Sequence, residues 1–111
     1  MNRLKGIWVP VLSPQKEDCS IDMDRLFDHI DWLFGHQIHG IVLFGTNGEA
    51  TSFSVAERKA VLEGIRNKGV QNEKVMVGTG CSALTDTVDL SIHALALGYA
   101  HHLILPPFYY K

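Results

Sequence analysis

A chain of 111 residues, 46% hydrophobic and 20% charged, is long enough for one domain with a real core and too apolar to be disordered. Its net charge of −2 and its lack of any Lys/Arg block argue against a nucleic-acid partner. No apolar run approaches the roughly 18 residues of a membrane span, and the charged start Met1–Lys5 leads into no signal-peptide core. Two cysteines, Cys19 and Cys81, are too few for a disulfide scaffold, so a reduced, cytoplasmic protein is expected.

Ile7–Leu12 reads as a first strand, with Pro10 removing one ladder donor and Ser13-Pro14 ending it. Asp22 is the expected N-cap of a first helix, because Met23, Leu26, Phe27, Ile30, Leu33 and Phe34 follow as one apolar stripe. Ile41–Phe44 is apolar at every position, the pattern of a strand buried on both faces of a parallel sheet. Ser54 and Glu57 form a capping-box pattern opening a helix through about Asn67, which Gly69 closes. Val75–Val77 is a third strand. A third helix is expected from Leu84 to Leu97, capped by Thr85 or Ser82 and ended by Gly98, with Leu84, Val88, Ile92 and Leu95 as its core stripe. Leu103–Leu105 is the expected fourth strand.

The strand starts lie 34, 34 and 28 residues apart, and no linker divides the chain. Residues 1–111 are therefore expected to form one α/β unit with a parallel sheet, either doubly wound or part of a (β/α)8 barrel. Four strands leave two sheet edges to be covered. The chain is thus expected to be the N-terminal piece of a longer protein or to assemble with copies of itself.

In a parallel sheet the turns after all strands open on one face. That would gather Ser13, the Gly45-Thr46-Asn47-Gly48-Glu49 turn, Thr79 and Tyr109-Tyr110 at one rim. The two glycines let backbone N–H groups approach a ligand, although a tight turn alone would also explain them. Glu49 is a candidate acid or base, or a carboxylate held by turn amides. Gly78-Thr79-Gly80 with Ala83 is a partial dinucleotide fingerprint, without the acidic residue that should follow the next strand. His36, His39, His101 and His102 precede strands 2 and 4 and lack metal-ligand spacing, so they read as solvated connectors and no metal is expected. Cys81 reads as a small packed residue.

Gly45-Thr46-Asn47-Gly48-Glu49, followed by Ser52-Phe53-Ser54 and Glu57-Arg58, with Gly78-Thr79-Gly80 and Pro107-Phe108-Tyr109-Tyr110 downstream, resembles the dihydrodipicolinate synthase / N-acetylneuraminate lyase family over its first half. The resemblance implies a (β/α)8 barrel and a class I aldolase or lyase acting on pyruvate-type 2-oxo acids and an aldehyde. A lysine on a later strand forms the Schiff base, and no cofactor is used. By position, Thr46 resembles the relay threonine and Tyr109 the relay tyrosine that reaches a neighbouring subunit, which implies a homodimer or homotetramer. Thr46, Asn47 and Gly48 match the cradle for the 2-oxo acid carboxylate, with Glu49 and Thr79 behind it. Asn47 departs from the Thr or Ser of many members, and His39 and His101 replace more usual acidic residues.

None of the six lysines (5, 16, 59, 68, 74 and 111) is expected inside a strand. The chain alone is therefore expected not to catalyse. A non-catalytic half-barrel serving assembly or binding is the alternative from a different class. Within the family, N-acetylneuraminate lyase or 2-keto-3-deoxy sugar-acid aldolase activity is the alternative to dihydrodipicolinate synthase.

Overall fold

The computed structural model of the protein describes residues 4–45 and 48–105. Strands and helices alternate: β1 (Trp8–Pro10), α1 (Met23–Phe34), β2 (Gly40–Leu43), α2 (Val55–Lys68), β3 (Val75–Gly78), α3 (Leu84–Ala96) and β4 (His101–Leu103). All pairs are parallel, and the sheet order is β1-β2-β3-β4. This order separates the two architectures left open above. A doubly wound sheet reverses its direction of strand addition and so carries helices on both faces, whereas sequential addition through crossovers of one hand keeps them on one face. The chain is an arc of barrel wall.

Strand alternation divides side chains between the two faces of the arc. Ile41, Leu43, Val75 and Val77, none more than 2% exposed, pack under the helices with Leu26, Ile30, Leu62, Ile65 and Leu90. Val42 and Met76, in register with Pro10 and His101, face the other side. Trp8 lies there too. Its ring covers Gly40, where any Cβ would collide with it, and meets the His101 ring edge-on at 6.2 Å.

Two helices form as their sequences dictate. Asp22 accepts a hydrogen bond from the Arg25 N–H at 3.1 Å, and Leu26, Ile30 and Leu33 are buried. Ser54 and Glu57 make both hydrogen bonds of the capping box, and Gly69 closes α2 in the left-handed region at φ 94°.

The third helix corrects the sequence reading. Leu84, Val88, Ile92 and Leu95 are 49–75% exposed, while Thr87, Leu90 and Ala94 are buried. The bulkier stripe lies about a third of a turn around the helix from the buried one. It faces away from α2, which α3 meets through Lys59–Asp89 (2.8 Å) and Glu63–His93 (3.5 Å). A stripe's apolarity shows that a face is to be covered without saying by what. Small Thr87 and Ala94 let the helix seat closely on the sheet. Neither Ser82 nor Thr85 caps the helix: Ala83 holds the cap position without a side-chain bond, and Thr87 Oγ1 instead accepts from the Cys81 N–H at 2.9 Å.

The two outer strands are also displaced from expectation. β1 is three residues long rather than six, since past Pro10 only the Val11 N–H continues the ladder, to Val42 O. β4 begins two residues early, because Met76 and Val77 of β3 register with His101 and His102. These histidines are strand residues, not connectors.

Candidate functional site

The β2 turn is held in an unfavourable backbone conformation. Phe44 and Glu49 both occupy the left-handed region, at φ 57° and 53°, which costs about 1–3 kcal/mol for each such non-glycine residue. Tertiary contacts offset that strain. The Gly48 N–H donates to Gly45 O at 3.1 Å, and Ser13 Oγ, from the loop after β1, donates to Gly48 O at 2.6 Å. The buried Phe44 ring packs edge-on to Phe53 at 6.0 Å and lies 5.5 Å beneath the Arg58 guanidinium. Gly45 and Gly48 are buried, and a Cβ on Gly48 would press on Val11 O at 3.0 Å and Phe44 N at 3.1 Å. Ser13 and the turn converge as expected.

After β3 the arrangement differs from the sequence picture. Thr79 is fully buried. Its N–H donates to Leu103 O at 3.1 Å, and its hydroxyl accepts from Ser91 Oγ at 2.8 Å, tying α3 to the sheet. Arg58, which the sequence offered only as part of a motif, is 3% exposed. Its guanidinium donates to Gly78 O, to Gly80 O at 3.3 Å and to Cys81 Sγ at 3.4 Å. Burial pulls its pKa below the ordinary guanidinium value, and the Cys81 sulfur opposes that shift. A signal for Arg58 did exist: it falls on the stripe it shares with Val61, Leu62 and Ile65, where a cation must have buried partners.

Between these two turns lies a cavity of about 480 Å³, with Phe44, Gly45, Phe53, Arg58, Cys81 and Asp86 on its wall. Glu49 is exposed and lines a separate, shallower cleft with Ser13, Arg25 and His29. Thr46, Asn47 and Tyr109 lie outside the described residues.

At the opposite end of the sheet, two of the histidine rings have partners within the protein. His39 Nδ1 accepts from the Ile7 N–H at 2.8 Å, and His102 Nε2 lies 2.9 Å from Tyr99 O. These partners correct the expectation of merely solvated rings. Among the described residues no three His, Cys, Asp or Glu side chains gather as metal ligands, and no helix is long and apolar enough to cross a membrane. The sequential strand order leaves the doubly wound nucleotide-binding alternative without its sheet.

Known proteins share this sequence and geometry. A sequence model described as the dihydrodipicolinate synthetase family matches residues 3–111. A DapA-like lyase of Thermococcus onnurineus is 40% identical over 106 residues, covering 96% of this chain and 36% of the relative. The structure of Proteus mirabilis N-acetylneuraminate lyase superposes with a TM-score of 0.88 at 28% identity, over 99% of this chain and 37% of that one. The dihydrodipicolinate synthase of Acinetobacter baumannii, solved in complex with pyruvate, superposes with a TM-score of 0.82 at 26% identity, over 96% and 37%. The chain thus spans little more than a third of the proteins it matches, and its four-stranded arc corresponds to the N-terminal portion of their barrel. By sequence and by fold, the chain belongs to the dihydrodipicolinate synthetase family.

Proposed function

We propose that this chain forms the N-terminal part of a pyruvate-dependent class I aldolase or lyase, closest in reaction to dihydrodipicolinate synthase. The observation that carries this reading is the strained β2 turn. Buried Gly45 and Gly48 and left-handed Phe44 and Glu49 shape this turn at the C-terminal end of the strand, and Ser13 braces Gly48. Such a turn offers backbone donors to a carboxylate where barrel enzymes place their chemistry. In this reading Thr46 and Tyr109 relay protons, and Asn47 and Gly48 bind the 2-oxo acid carboxylate. The pyruvate complex of the Acinetobacter baumannii synthase supports the substrate class.

In this reading the Schiff-base lysine comes from the remainder of the barrel, which agrees with the absence of any strand lysine among the described residues. Incubating the complete protein with pyruvate and borohydride is expected to leave a reduced adduct on one lysine. Absence of any mass gain overturns the mechanism.

The exposed apolar face of α3 and the exposed Leu103, Ile104 and Leu105 at the end of β4 favour a second reading, a non-catalytic half-barrel that serves assembly with copies of itself or binding. Sedimentation of the 111-residue chain distinguishes it: a folded oligomer supports this reading and a monomer opposes it.

A further inference from the structure

We propose that Cys81 is a thiol-modification site selective for small anionic disulfides, which Arg58 recruits. Two independent features of the cavity carry this inference. The first is the sulfur's position. Cys81 is half-buried on the cavity wall, three residues ahead of α3, with its N–H tied to Thr87 Oγ1 at 2.9 Å so that the thiol is held in place.

The second is a buried cation without a compensating anion. Arg58 is 97% buried, and its Nε has no hydrogen-bond partner among the described residues. Its other nitrogens meet only carbonyls and Sγ, and among the described residues it forms no ion pair. A buried guanidinium left so poorly compensated favours negative charge beside it. Arg58 adjoins both the cavity and the Cys81 sulfur.

The geometry suits disulfide exchange. Sγ attacks one sulfur of the incoming disulfide, a new S–S bond forms as the old one breaks, and the departing sulfur takes the electron pair together with the proton that Sγ loses. Cys81 is oxidised to a mixed disulfide while the departing thiol is reduced. A second thiol reverses the reaction. Arg58 draws the anionic end of the reagent into the cavity. Asp86 on the same wall acts in the opposite sense. Cys19 is the internal comparison, because it is exposed and follows Glu17 and Asp18.

The test uses the folded protein, the dianionic reagent dithiobis(nitrobenzoate), the cationic disulfide cystamine, and peptide mass mapping to separate the two thiols. Cys81 is expected to outpace the more exposed Cys19 with the anionic reagent, and to prefer it over cystamine by roughly tenfold. Arg58→Gln removes the preference and Arg58→Lys retains it. Asp86→Asn, at an exposed position, raises the preference and remains informative if Arg58→Gln fails to fold. Faster labelling of Cys19, a preference that survives Arg58→Gln, or a ratio unchanged by Asp86→Asn overturns the assignment.

Discussion

The carbonyl of Phe44 lies directly over the Cα of Gly78, in the space a Cβ would occupy. This contact sets the spacing between the β2 and β3 turns and therefore the mouth of the cavity. Gly78→Ala must push backbone against backbone, so a loss of about 2–4 kcal/mol is expected. Gly69→Ala is the control. Its φ of 94° is strained for alanine, but nothing lies within 4 Å of the added methyl, and about 1–2 kcal/mol is expected. Urea midpoints for the two variants check the ranking, and equal losses would show that the Phe44 contact contributes nothing.

The faces of α3 can be told apart by truncation. Leu90 is fully buried and Ile92 is 62% exposed. Leu90→Ala is expected to cost about 2–5 kcal/mol, and Ile92→Ala about 0.5 kcal/mol or less in the isolated chain. A large loss at Ile92 in the complete protein, against a small one in the 111-residue chain, would show that another element covers the stripe.

Tyr99 gives stability a pH dependence. Its ring is fully buried, its hydroxyl donates to Leu62 O at 3.1 Å, and burial pushes its pKa up to about 12 from an ordinary 10. The native state therefore keeps the phenolic proton at pH values where the unfolded chain releases it. This contribution is complete below pH 10 and is lost as the pH rises from 10 through 12. Tyr99→Phe is expected to be less stable at neutral pH by about 1 kcal/mol, and to lose the part of the alkaline slope that belongs to this group. Denaturation midpoints of both proteins between pH 9 and pH 12 provide the check, and parallel curves would contradict it.

Local chemistry is what made much of the fold legible. The Asp22 cap, the Ser54–Glu57 box and the Gly69 stop act over three or four residues, so their effects can be read without knowing the neighbours. The all-apolar Ile41–Phe44 run likewise announced a strand buried on both faces. At the site, the glycines of the β2 turn were legible for the same reason, and the convergence of Ser13 with it followed from the expected parallel sheet. The partners of Arg58 and Tyr99 were not legible, because they lie 20–37 positions away in the chain.

By itself the sequence determined the alternation of strands and helices, the ends of α1 and α2, and the family to which the chain belongs, since each depends on short-range pattern or on a motif. Only the tertiary structure decided that the strands add in order to make a barrel arc, that α3 seats on Thr87, Leu90 and Ala94 rather than on its larger side chains, and that β4 starts at His101. Those choices are set by register and close packing between distant segments. Hydrophobicity along the chain identifies surfaces that will be buried but not the neighbour each one will meet.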